Sequence, residues 1–270
     1  MQQELIDLAW WQLAIGAALV LALAAVTWYG RLGLSRELLV AATRMVIQLA
    51  LIGLVLEALF SVAAFHWVAL MAVVMLLLAG REVMSRQKRR MTGGWAFAIG
   101  TVSMFISAFA VTVFALLAII GPQPWYAPQY AIPLLGMLLG NTMTGVALGM
   151  DRLTDSAWRQ RQVIEGRLML GMNWSEAIAD LRRDAMRSGM IPIINGMAAA
   201  GVVSLPGMMT GQILAGSPPA LAVKYQVLVF FMIAVGTGFG TVAAVMAASR
   251  RLFDERQRLR LDRIGASPGG

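Results

Sequence analysis

Few side chains in this sequence can do covalent or acid–base chemistry, and their spacing excludes most of it. His66 is the single histidine and there is no cysteine, so zinc–thiolate sites, iron–sulfur clusters and disulfides have no ligands. No His-Glu-x-x-His occurs. A lone histidine near the end of an apolar stretch reads as an interfacial side chain rather than a base or ligand. The two lysines, Lys88 after Gln87 and Lys224 after Val223, do not follow glycine. A P-loop needs Gly-Lys-Ser/Thr, because its lysine reaches the phosphates. The chain is therefore not expected to be an enzyme or an ATPase, and no cofactor is expected on it.

What remains is polar chemistry embedded in apolar sequence. Such groups are costly in hydrocarbon and tend to face a bundle interior or a wet path. Arg44 and Gln48 lie four residues apart, on one helix face. They suit a gate or an interior salt bridge; alternatively, Arg44 extends its stem to lipid phosphates. Glu57 points roughly opposite Gln48 at 3.6 residues per turn, as an exit-side metal ligand or an interfacial carboxylate. Asn141, Thr142, Thr144 and Asn195 offer hydrogen bonds to a substrate or between helices. Ser204-Leu205-Pro206-Gly207 interrupts an apolar stretch, and Met208 and Met209 follow it. Thioethers suit soft ions such as Cu(I), whereas ferrous iron favours harder ligands. Flexible packing between helices is the plainer role for these methionines, and no metal ligand set can be assigned.

The elements that must position these groups are membrane helices. The chain has 270 residues, 59% hydrophobic and 13% charged, with a mean hydropathy of +0.72. Soluble domains carry about 25% charged residues. Seven stretches approach or exceed the roughly 20 apolar residues that a crossing needs: 8–29, 38–60, 64–80, 95–120, 130–150, 191–214 and 225–248. Trp10, Trp11, Trp28, Tyr29, Trp95, Trp125 and Tyr126 sit near their ends, as interfacial belts do. The fold class is an all-α polytopic bundle of about seven spans, one transmembrane domain over 1–270. Its glycines (Gly136, Gly140, Gly145 and Gly149; Gly196, Gly201, Gly207 and Gly211) put the fifth and sixth stretches at the centre. Proline within the sixth makes a kink or a re-entrant turn there.

Of the 22 Lys and Arg residues, all but Arg44 and Lys224 fall in alternate loops and the C-terminal tail. By the positive-inside rule the N-terminus is outside and the C-terminus cytosolic, in a cell membrane. The net charge of +8 is spread between spans, which argues against nucleic acid as a partner. The N-terminal flank has Glu4 and Asp7 but no basic residue, so the first stretch reads as an anchor and not as a cleavable signal. The last residues, about 264–270, read as a disordered tail.

The longest basic loop, 151–190, reads as two amphipathic helices around a short turn. Gly171 stops the first. Asn173 caps the second, with Glu176 three residues on completing a capping box. Ile178, Leu181 and Ala185 recur at helical spacing. Their stripe needs a cover: the membrane, another part of the chain, or a cytosolic protein. Leu170, Met172 and Trp174 are displayed near the turn.

Glu165 and Gly171 hold the spacing of the coupling loop of ABC-transporter permeases, although Gly166 and Arg167 replace the two alanines expected after the glutamate. More specific is Ser204-Leu205-Pro206-Gly207-Met208-Met209-Thr210-Gly211, followed by Ala222-Val223-Lys224-Tyr225-Gln226. Arg44 with Ile47-Gln48-Leu49, and Pro133 with Gly136, Gly140-Asn141 and Met143, extend the likeness over most of the chain. The sequence resembles the permease family of the FetB-type iron-export ABC transporters, whose plant relatives are linked to aluminium tolerance. That resemblance implies a homodimeric permease driven by a separate ATPase subunit, which would bind ATP and Mg and dock on 151–190. Glu165, Leu170, Gly171, Met172 and Trp174 would face that ATPase. Arg44, Gln48, Glu57, Asn141, Asn195, Ser204, Pro206, Met208 and Met209 would mark the path or its gates. Iron is implied for one branch and a nucleotide sugar for another. The competing readings are a gradient-driven secondary transporter or channel, disfavoured by the scarcity of acids in the spans, and a scaffold subunit.

Overall fold

The structure, a computed structural model, describes residues 9–62 and 64–265. Expectations about Glu4 and Asp7, and about the tail from 266 onward, fall outside the described residues. Helices dominate: α1 (Trp10–Tyr29), α2 (Ser35–Val62), α3 (Phe65–Ser85), α4 (Trp95–Ile120), α5 (Pro128–Arg159), α6 (Arg161–Met169), α7 (Trp174–Ala177), α8 (Ala179–Ala199), α9 (Gly207–Leu214) and α10 (Pro219–Arg251). Six of them, α1 to α5 and α10, are long and apolar enough to cross a membrane. The protein is a multi-pass membrane protein with an all-helical bundle.

α5 is the hub, packing against α3, α8 and α10, while α4 bridges α3 and α10. α1 packs on α2. Lipid tails are as apolar as leucine, so helix association here relies on close fit. Among the glycines the closest approach of backbone to backbone is where α5 crosses α8. A Cβ on Gly189 would collide with the carbonyl oxygen of Gly145 and stand 2.6 Å from the Thr241 methyl. Of the glycines singled out in the sequence, Gly145 and Gly149 serve this crossing, whereas Gly140, Gly207 and Gly211 would meet nothing within 4 Å. The decisive partner, Gly189, lies outside the stretch 191–214.

That sixth stretch is not one continuous helix, although it returns the chain from the end of α5 to the start of α10. α8 begins back at Ala179 and stops at Ala199, where Ala200 turns extended (φ −65°, ψ 132°). The Val203 amide still reaches the Ala199 carbonyl at 3.0 Å, but the Ser204 amide doubles back onto the same carbonyl at 3.1 Å and the helix ends. Pro206 caps a new short helix, α9, which packs on α10. The interruption is thus a full stop and a restart, a stronger break than a kink.

The arginine-bearing segments converge at one end. The Lys88 amide donates to Asp151 Oδ1 at 2.7 Å, Arg89 pairs with Asp155 at 3.8 Å, and its guanidinium lies 4.4 Å from the Trp158 ring centre. The segment after α10 folds back onto the same end. Thr92 N donates to Arg263 O at 2.9 Å, and Gly265 N to Arg90 O at 2.7 Å. Leu252, Phe253 and Ile264 are buried. Ile264 and Gly265 therefore belong to the packed protein, contrary to a disordered tail starting near 264. Arginine is the commonest residue of this segment, but its interspersed apolar residues supply the packing.

Candidate functional site

Two places combine preorganised backbone with unspent side chains: the α6–α7 turn at the arginine-rich end, and a cavity at the opposite end.

The turn is built locally. α6 ends at Met169, and Gly171 takes the left-handed conformation (φ 90°), which costs a Cβ-bearing residue 1–2 kcal/mol or so. Asn173 Oδ1 accepts from the Glu176 amide, and the Glu176 carboxylate accepts from the Asn173 amide, both at 3.0 Å. This is the reciprocal cap anticipated from the sequence. Arg167 ties the two arms together, donating to Ala177 O at 3.1 Å and to Asp180 at 3.0 Å. With its backbone held this way, the turn presents Met169 and Leu170 at 84% and 83% exposure. Met172 and Glu165 are also exposed.

Trp174 differs from the expectation that it is displayed. It is half-buried: its ring centre lies 5.8 Å from that of Phe253, and the Arg250 guanidinium sits 5.1 Å over it. Its amide, an unpaired donor at the start of α7, donates to Gln257 Oε1 at 3.0 Å. The segment carrying Gln257 is itself braced. Asp254 accepts from the Arg258 amide and guanidinium, each at 2.9 Å. That amide bond, foremost, and the Arg258 charge hold the Asp254 carboxyl below the usual carboxylate range. The stripe of Ile178, Leu181 and Ala185 is buried inside this chain, where α8 packs on α5 and α10. Of the three possible covers, the chain itself supplies this one.

The expected path residues separate. Arg44 Nη2 meets Glu82 Oε2 at 3.1 Å, linking α2 to α3, and Arg86 joins the same carboxylate at 3.4 Å. Arg44 thus makes an ion pair, but an exposed one and not the interior salt bridge expected; its partner, Glu82, escaped sequence reasoning because nothing local connects residues so far apart. Gln48, Glu57 and Asn195 are exposed on their helices. Asn141 and Thr144 spend their side chains on their own helix, donating to Met137 O at 2.8 Å and Gly140 O at 3.1 Å, so they do not bridge helices. His66 is exposed beside Trp67, with ring centres 5.4 Å apart.

The cavity, of about 280 Å³, opens between the first turns of α5 and α10, with α9 as a cover. Pro133, Met208 and Tyr225, noted in the sequence, line it together with Gln129, Met137, Gln212, Ser217 and Met232. Met209 is buried beside it, while Ser204 stays in the exposed loop before α9 and Pro206 caps that helix. Gln129, Gln212 and Ser217 went unnoticed because they lie outside, or at the margin of, the apolar stretches. The lining is uncharged and mostly apolar, with Ile120, Leu134 and Val229 among its aliphatic side chains and amide, hydroxyl, phenol and thioether groups between them. Among the described residues no three His, Cys, Asp or Glu side chains gather as metal ligands would.

The model of the UPF0014 family, described as an uncharacterised protein family, matches residues 10–253. The chain belongs to the UPF0014 family. The UPF0014 membrane protein slr1647 of Synechocystis is 38% identical over 266 residues, covering 96% of this chain and 99% of its own. The probable iron export permease protein FetB of Escherichia coli is 32% identical, covering 92% and 93%. The UPF0014 membrane protein STAR2 of rice is 32% identical, covering 86% and 79%. No solved structure matches the chain. The resemblance read from the motif around Pro206 is thus upheld, and the UPF0014 match runs from α1 through the α6–α7 turn to Phe253.

Proposed function

We propose that this UPF0014 protein is the membrane-spanning permease subunit of an ABC exporter, acting as a homodimer in the cell membrane. Its N-terminus lies outside and its arginine-rich end in the cytosol, where the positive-inside rule puts such loops. ATP is hydrolysed on a separate nucleotide-binding subunit, which docks on the α6–α7 turn. One observation carries this reading. A capped, left-handed, arginine-tied turn presents Met169 and Leu170 almost fully to water. Preorganised apolar side chains of this kind lower the ordering cost of association, and they gain nothing in the chain alone. The relationship to FetB supports export and points to a metal ion, iron first. The cavity carries no charged side chain, so an ion passing it would not be held tightly.

The test is co-purification with the small ATPase expected from the neighbouring reading frame. Leu170→Asp together with Met169→Asp abolishes the association in this reading, while the protein still folds and inserts. ATP-dependent uptake of a panel of metal ions into inverted vesicles identifies the substrate. Gradient-driven flux through the purified chain alone, without nucleotide, overturns the proposal, as does a topology map that puts 151–190 outside.

A further inference from the structure

The α6–α7 turn is bound to the end of α10 by contacts that its own folding does not require. Asn173, Glu176, Gly171 and Arg167 already shape the turn. Beyond them, Trp174 makes three separate contacts with one stretch of chain. The Arg250 guanidinium from the last turn of α10 lies over its ring at 5.1 Å, Phe253 packs on it at 5.8 Å, and Gln257 accepts its amide at 3.0 Å. The receiving segment is locked in turn. Arg263 donates to Arg251 O at 2.8 Å and Phe253 O at 3.1 Å. Arg260 N donates to Leu252 O at 2.8 Å. Arg251 lies 4.3 Å over the Trp95 ring at the start of α4.

We infer that Trp174 is a latch, held by Arg250, Phe253 and Gln257, through which displacement of the α6–α7 turn is delivered to α10. This rests on the proposed docking of an ATPase at that turn. It divides the labour there: Met169 and Leu170 face the partner, and Gln257 and Arg250 act as positioning residues through Trp174. α10 is the receiver for a physical reason. It is a continuous helix from Pro219 to Arg251, and it lines the far cavity with Tyr225, Val229 and Met232. A rigid element of that kind carries a push at one end to the other. α8, the other helix leaving the turn, stops at Ala199 and cannot do so in one piece.

The sequence contains no cysteine, so spin labels can be placed cleanly. Labels at Leu117→Cys on α4 and Leu221→Cys on α10 report the cavity end by electron–electron distance, in the full complex with the ATPase in lipid vesicles. The states compared are nucleotide-free and MgATP with vanadate. In the otherwise unaltered complex the distance shifts with nucleotide. In Gln257→Ala with Arg250→Met, the ATPase still co-purifies and hydrolyses ATP, but the shift at the cavity end is lost. Gln257→Glu with Arg250→Lys keeps an acceptor for the Trp174 amide and a cation over its ring, and restores the shift. A purely structural role would move folding and ATPase association together and would not be rescued in this way.

A full shift in Gln257→Ala with Arg250→Met overturns the latch. So does loss of ATPase association in that variant, because the two residues would then belong to the dock. If Leu170→Asp with Met169→Asp keeps its ATPase, the docking reading fails instead, which separates the two failures. Should the double variant not fold, Gln257→Ala alone, at an exposed position, decides the matter: a reduced shift supports the latch and a full one overturns it.

Discussion

The crossing of α5 and α8 offers a sharp test of how this bundle is held together. Gly189→Ala adds one carbon that would collide with the Gly145 carbonyl oxygen and lie 2.6 Å from the Thr241 methyl. Backbone cannot rotate away as a flexible side chain can, so the helices must part by about 1 Å to restore ordinary contact. A gap of that size forfeits a quarter to a half of each contact's attraction along the crossing. Overpacking of a tight site costs about 1–3 kcal/mol, against which alanine returns about 0.5–1 kcal/mol of helix propensity over glycine. The net expectation is a loss of about 0–2.5 kcal/mol, at most a fall of several degrees in melting temperature at this chain length. Gly140→Ala is the internal control, since its Cβ would meet nothing within 4 Å. It should be neutral or gain up to about 1 kcal/mol. The two variants are compared by thermal unfolding in the same detergent. Adding Thr241→Ala to Gly189→Ala should recover only part of the loss, because the carbonyl collision remains. If Gly189→Ala melts at or above the temperature of Gly140→Ala, close approach at this crossing does not hold the helices, and the packing argument fails.

Three further outcomes follow from the geometry. The Arg44–Glu82 pair is 57% and 25% exposed at its two side chains; a double-mutant cycle of Arg44→Gln and Glu82→Gln should give a coupling below about 1 kcal/mol, and a markedly larger value would mean a dry, interior pair. Asn173→Ala removes the side-chain acceptor of the capping box and should cost about 1 kcal/mol, seen as faster amide exchange over Trp174–Ala177 with the bundle unchanged. The lowered pKa of Asp254 makes its brace on Arg258 fully present above the ordinary carboxylate value of about 3.9, and lost as the pH falls through the folded-state value below it. Exchange protection over residues 252–265 should thus stay level from neutral pH to about 5 and collapse only in strong acid; a loss between pH 6 and 8 would contradict this.

Local features could be read in the sequence to within a few residues. The stretch 95–120 coincides with α4, and α1 runs to Tyr29 as read. The capping box at Asn173 and the stop at Gly171 involve neighbours only, and both stand. Helix ends in water were less legible. α3 continues through Arg81 and Glu82 to Ser85, and α5 to Arg159, because hydropathy marks the hydrocarbon segment of a helix and not its polar extension. Pro206 located the break in the sixth stretch, while the kind of break depended on where α8 began. The candidate path residues were chosen by polarity, and polarity does not tell which face a helix turns inward. Asn141 accordingly bonds its own helix, and Gln48 faces outward.

The amino-acid sequence by itself determined the solvent, the helical class and the family. Those follow from hydrophobic run length, charge spacing and short motifs, which are properties of neighbouring residues. Only the tertiary structure decided that Glu82 receives Arg44, that Gly189 and not a glycine of 191–214 makes the crossing, and that Trp174 turns toward Phe253 and Gln257 instead of being displayed at the turn. Each is a meeting of residues distant in sequence, set by how whole helices pack, and no periodicity along the chain records which helix lies beside which.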